Sequence, residues 1–283
     1  MSKFLSEIVM AAMLVSLTGN VHAQIPSTPT ATPSTLPTAT TPDLKLLGKA
    51  MGVFWQGNRA QTDSQIVMTL QRKGTKANPI QINATVKTIA QTGEQFRSEL
   101  TVSRSGSPLK ITYSIVCDGK NVWMYRPDKR QYAQTTFAEF KPQFHSLLVG
   151  LSTVFFVSMP ESGRKSIVAE IAAGVNPVKS LPPDQTASLQ GNMRQVEGQN
   201  LYVYTFDNKD EGSSFSGYVQ PETGILKQIE LINNTAEGEI KVVEKISSHT
   251  TTTNLSTKTF KFSPPPRTKK VQSLSNDLLQ LIQ

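Results

Sequence analysis

The sequence predicts an α+β fold, an antiparallel sheet with one oily face covered by a helical insert. Three observations predict it. Short segments before residue 127 alternate apolar and polar side chains, as strands over a core do. The stretch from Phe137 to Ile171 changes to a helical, largely apolar pattern. Alternating segments then resume from Leu201.

The N-terminus reads as an export signal, with Lys3, an apolar run from Ile8 to Leu17 and the small-residue site Val21-His22-Ala23 ahead of Gln24. The run is shorter than the roughly 20 residues of a spanning helix. Cleavage after Ala23 is the expectation; Glu7 in the charged region leaves an uncleaved anchor as the alternative. No Cys stands at the cleavage site, so the chain is not expected to be lipidated itself. Residues 24–43 are dominated by Pro, Thr, Ser and Ala, a composition that cannot offset chain entropy by burial, and read as a disordered linker.

Asp43 can cap a helix from Leu44 to about Gln56, with Leu44, Leu47, Met51 and Phe54 or Trp55 at helical spacing. Strands are expected at 64–73, 80–89, 95–103, 109–117 and 121–126. Their oily parity holds Ile66, Met68, Leu70, Phe96, Leu100, Ile111, Tyr113 and Ile115, which are expected on the concave side. Asp118-Gly119 supplies a tight turn between the last two strands. A two-residue turn puts Trp123 and Tyr125 opposite Tyr113; a three-residue turn with a Gly bulge puts them beside it, and that one-walled arrangement is preferred. Pro127 ends the strand.

Pro142 and Pro160 break the helical insert, whose inner stripe is Phe144, Leu147, Leu148, Leu151, Phe155 and Phe156. Phe155 and Phe156 are adjacent and cannot share one face. Later strands are expected at 201–207, 214–220, 225–232 and 239–247, closing at Phe260–Phe262, with a hairpin turn at Glu222-Thr223-Gly224. A tail over 268–283 places Val271, Leu274, Leu278 and Leu281 at helical spacing.

The chemistry is sparse. Cys117 is the only cysteine, so no intrachain disulfide forms and the thiol reads as a small core residue. His145 and His249 belong to no metal-spacing pattern, and Asp207-Asn208-Lys209-Asp210-Glu211-Gly212 lacks the later glutamate of a calcium loop. No nucleophile elbow, phosphate loop or zinc-protease motif is present. Neither an enzyme nor a cofactor is expected. The net charge of +8 is scattered, which argues against nucleic acid and allows attraction to anionic membrane surfaces.

Phe96-Arg97, Asp118-Gly119-Lys120, Trp123, Tyr125-Arg126-Pro127, Gln131-Tyr132 and Phe260-Lys261-Phe262 with Pro264-Pro265 stand in an order across residues 44–267 that resembles the LolA-like family of outer-membrane lipoprotein carriers, whose fold LolB-type receptors and RseB-type stress sensors share. The resemblance implies an unclosed, strongly curved antiparallel half-barrel closed by a helical lid. The cavity between them holds acyl chains of lipids or lipoproteins in transfer towards the outer membrane. It implies a monomer in the periplasm that meets an inner-membrane release complex and an outer-membrane acceptor. The alternative is a sensor of the RseB type that responds to envelope lipids or proteins. Carriers of this family latch the lid with a basic residue before a proline in the third strand. Here that neighbourhood reads Gln91-Thr92-Gly93-Glu94, and Arg97 is the nearest basic residue, hence the candidate latch. The cavity residues implied are the eight concave ones, Trp123, Tyr125 and the six of the lid stripe.

Overall fold

The computed structural model describes residues 41–74, 78–141, 144–181, 186–236, 238–251, 255–256 and 258–274; the side chains of 144, 145 and 180 fall outside this description. The signal segment, most of the linker and the tail beyond Leu274 lie outside the described residues.

Helix α1 (Leu44–Phe54) is capped as its sequence predicts, the Asp43 carboxylate accepting from the Leu46 N–H at 3.0 Å. Six strands follow as a meander: β1 (Arg59–Arg72), β2 (Ile80–Gln91), β3 (Gln95–Arg104), β4 (Lys110–Asp118), β5 (Asn121–Arg126) and β6 (Gln131–Thr136). The insert breaks into α2 (Phe137–Phe140), α3 (Phe144–Leu148), α4 (Leu151–Ser158) and α5 (Glu161–Ala172), then a 3-10 turn (Pro177–Ser180). A second meander holds β7 (Ala187–Val196), β8 (Gln199–Asn208), β9 (Ser213–Val219), β10 (Leu226–Asn234) and β11 (Gly238–Thr251), and β12 (Lys269–Lys270) closes the described part.

All twelve strands form one unclosed sheet in the order β12-β6-β5-β4-β3-β2-β1-β11-β10-β9-β8-β7. The long strands β1 and β11 pair along their length and join the two meanders. Topology then places the lid. β6 and β7 lie near opposite edges, so the helices between them must cross the sheet, and they cross its oily concave face. The fold is an open, curled α+β sheet with a helical cover.

The concave parity of the first meander is the expected one. Ile66, Met68, Phe96, Leu100, Ile111, Tyr113 and Ile115 are buried, and Leu70 is half-buried against them. At roughly 1.5–3 kcal/mol for each fully buried large side chain, this face contributes substantially to holding the fold together. Cys117 is buried in the same face, and burial pushes its thiol up to about 12.

Several expectations are corrected. β6 and β7 are strands that the pattern did not announce. Phe260–Phe262 is not a strand: Phe260 lies in a turn, and the strand beside β6 is β12, paired with it in parallel. Beyond 267 the chain stays docked, through β12 and the buried Leu274. Trp123 and Tyr125 do not face the cavity. Cys117 pairs with Val122, which leaves Gly119 (φ 99°) and Lys120 as a two-residue turn. Trp123 then pairs with Val116 and Tyr125 with Ser114, on the convex side. There the Trp123 ring stacks on Phe262 at 6.0 Å, and Tyr125 and Tyr132 pack on the same ring.

Candidate functional site

The space under the lid is divided unevenly. Over the first meander the insert packs directly on the sheet. Leu147, Leu148, Val149, Leu151 and Phe156 are buried in one cluster with Phe96, Leu100, Ile111 and Tyr113. Phe96 meets the Phe140 ring at 6.0 Å and the Phe137 ring at 6.4 Å. Thr88 Oγ1, itself bonded to Ser98 Oγ, donates to the Val149 carbonyl at 3.3 Å.

Over the second meander a cavity of about 170 Å³ remains. Its roof is one side of α1, with Leu47, Ala50, Met51, Phe54 and Trp55. Its floor is β7 to β10, with Leu189, Tyr204, Phe206, Phe215, Gly217, Val219, Leu226 and Ile229. Phe155 closes the side, its ring edge-on to Phe215 at 4.9 Å. The lining is almost wholly apolar. The Trp55 indole N–H, buried, has no hydrogen-bond partner among the described residues.

Of the sixteen residues expected to line a cavity, the structure brings one, Phe155, to this one. The concave residues of β1 to β4 and Leu147, Leu148, Leu151 and Phe156 are core. They share one cluster with the apolar residues of the insert, Leu70 at its partly buried margin. The side chain of Phe144 lies outside the described residues. Phe155 and Phe156 do part company: Phe156 turns to the Phe54 ring of α1 at 6.5 Å, Phe155 to the sheet.

Two buried charged groups that the sequence reading did not single out tie the lid down, one to the sheet and one to the end of α1. Glu244, fully buried on β11, accepts from the Ser152 N–H at 2.8 Å, the Ser152 hydroxyl at 2.6 Å and the Ser64 hydroxyl at 2.8 Å. It stands at the N-terminus of α4, where the N-cap residue Gly150 has no side chain to offer. A Cβ at Gly150 would lie 2.7 Å from Glu244 Oε1, and its φ is 99°, so glycine is required twice over. Burial raises the Glu244 carboxyl above its ordinary value, and these hydrogen bonds oppose part of that rise.

Arg164 on α5 is 1% exposed. It donates to the Gly57 carbonyl at 2.9 Å and the Trp55 carbonyl at 3.4 Å, and lies 4.6 Å over the Phe156 ring. This is the arginine that joins α5 to the end of α1. Arg97, the expected latch, is on the convex side. It pairs with Val116 and donates to the Thr259 carbonyl at 3.0 Å, away from the lid.

The cavity roof is held at both ends. At the front, the Tyr204 hydroxyl donates to the Asp43 carbonyl at 2.7 Å, and the Asp43 N–H donates to Tyr202 Oη at 3.0 Å. At the back, His249 Nε2 donates to the Phe54 carbonyl at 2.9 Å, with Nδ1 2.8 Å from Thr62 Oγ1. That pattern fits the neutral ring, and burial lowers its pKa in agreement. One signal in the sequence could have found Glu244 and Arg164. Each is a charged residue at core parity, Glu244 between Val242 and Ile246, Arg164 in register with Ile167 and Ile171.

No protein-family model and no curated protein sequence matches the chain. Solved structures similar to it include a LolA superfamily protein from Nitrosomonas europaea (11% identity, 79% of this chain and 99% of that one, TM-score 0.32). Others are an uncharacterised conserved protein from Thermus thermophilus (11%, 81% and 97%, 0.38) and MucB in the Pseudomonas aeruginosa MucA/MucB complex (14%, 78% and 60%, 0.32). The group named from the sequence motifs is thus among them. At these identities and TM-scores the likenesses say nothing about ligand or partner.

Proposed function

We propose that the protein is a periplasmic carrier that shelters an acyl chain of a lipid or lipoprotein, in the cavity between α1, Phe155 and the second meander. The observation that carries this reading is the cavity itself, about 170 Å³ with an apolar lining in a sheet whose other half is closely packed. An engineered apolar cavity of roughly 150 Å³ holds a benzene molecule, so this one takes a chain segment on the order of six carbons without rearrangement. At about 0.8 kcal/mol per buried CH₂ such a segment contributes about 5 kcal/mol. Longer chains extend through the open side of the cavity or require α1 or the lid to shift. A small shift of Trp55 would bring its indole N–H, enclosed and without a hydrogen-bond partner among the described residues, to the carbonyl oxygen at the head of the chain. No residue of the site forms a nucleophile–base pair, and binding alone suffices for the role.

The test is titration of the purified protein, stripped of lipid, with a fluorescent acyl probe, alongside mass spectrometry of lipids that co-purify with the exported protein. Saturable probe binding by folded protein and a recurrent co-purifying lipid are the expected results. Folded, lipid-free protein that binds no probe overturns the reading. A co-purifying protein with no lipid replaces it with a sensing module of the same fold.

A further inference from the structure

We infer that Gly217 sets how much of an acyl chain the cavity accepts, an inference that rests on the acyl-binding reading above. Gly217 lies in the middle of β9 on the cavity floor, paired with Tyr204. Glycine is a poor strand residue, with no side chain to pack, so its place there calls for a reason. Two glycines flank Tyr204, and their surroundings differ. Gly191 on β7 also pairs with Tyr204, and a Cβ there would lie 2.7 Å from Tyr202 Oη and 3.1 Å from the Pro42 Cα. That position is small because its space is taken. At Gly217 a Cβ would meet Leu226 Cδ1 at 3.6 Å, an ordinary contact, and no other atom within 4 Å. Its backbone is not in the left-handed region, so a branched side chain fits the strand. The volume that a side chain at 217 would fill is therefore part of the cavity.

A valine or leucine at 217 should occupy space that chain methylenes otherwise use. Each displaced CH₂ is worth about 0.8 kcal/mol, or about fourfold in affinity. The experiment measures affinities of wild type, Gly217→Val and Gly217→Leu for straight-chain fatty acids from hexanoate to palmitate, with thermal melting of each protein. The expected result is a melting temperature equal to or above that of wild type, and a loss of at least about tenfold for the longest chains that bind wild type, greater for Leu than for Val. Short chains should change least. If wild type binds the series and the variants bind it equally, Gly217 does not set the limit. If Gly217→Val melts well below wild type, the space was never free, and the inference falls on that ground alone. If wild type binds no chain of any length, the acyl-binding reading fails first.

Discussion

The two meanders use the same antiparallel geometry and differ in what stands on their concave faces. Over β1 to β4 the lid presents Leu147 and Leu148 to a wall of branched and aromatic side chains, and the two surfaces close on each other. Over β7 to β10 the cover is one side of α1, and the floor is aromatic rings with Gly217 among them. A single helix bridging wide rings leaves a gap that the short helices α2 to α4, set on the first meander, do not, while α5 packs on α1. The difference teaches that stability and binding sit in different halves of one sheet. The packed half secures the lid, and so lets the other half keep apolar surface without a partner from the chain itself. The joint between them is β11, whose Glu244 reaches the lid and whose His249 reaches the end of α1.

The sharpest way to break this comparison is to truncate one lid residue on each side. Leu148→Ala, in the packed half, should destabilise by about 2–5 kcal/mol and leave acyl-probe affinity per folded molecule nearly unchanged. Phe155→Ala, at the cavity, should do the reverse, with a small shift in melting temperature and a clear loss of affinity. Denaturant melts and probe titrations of both variants decide it. Equal stability losses with no change in affinity would dissolve the distinction.

The joint is the next target. Glu244→Ala leaves the Ser152 N–H and two hydroxyls without their acceptor, at a cost of about 1–3 kcal/mol. Glu244→Gln keeps the shape and cannot ionise. Because burial raises the folded-state pKa of Glu244 above its ordinary 4.5, its contribution to stability is full below that value and falls as pH rises through the folded pKa. The Gln variant lacks this slope, so its melting temperature should gain on that of wild type as pH rises above about 4.5. Parallel curves would mean that the carboxyl is not held as the structure places it.

The smallest expected effect sharpens the cavity side. Trp55→Phe keeps the ring and removes the N–H. Affinity for a carboxyl- or ester-bearing chain should fall by a single neutral hydrogen bond, about 0.5–1.5 kcal/mol, while affinity for an alkane of equal length should hold. Equal losses for both ligands would make Trp55 a wall and not a donor.

Much of the scaffold was legible in the order of residues. Period-two alternation gave β1 to β5 and the parity of Ile66, Phe96 and Tyr113, because one buried face imposes that period whatever lies above it. Asp43 announced its helix, and Gly150 and Pro160 stand at breaks of the insert, since caps and breakers act within a turn of the chain; Pro142 lies outside the described residues. β6 and β7 were not legible, because Gln131–Thr136 and Ala187–Val196 lie at or beside the sheet edges, are largely polar and carry no oily stripe. Only tertiary structure decided the rest. One residue more or less in the turn at Gly119 moves Trp123 from one face to the other, and the strand pairing settles which. Glu244 meets Ser152 across 92 residues, and Arg164 meets Gly57 across 107, so neither contact leaves a local pattern. The cavity is the least legible feature of all. It is a difference between two packed volumes, and such a difference exists only once distant elements have met.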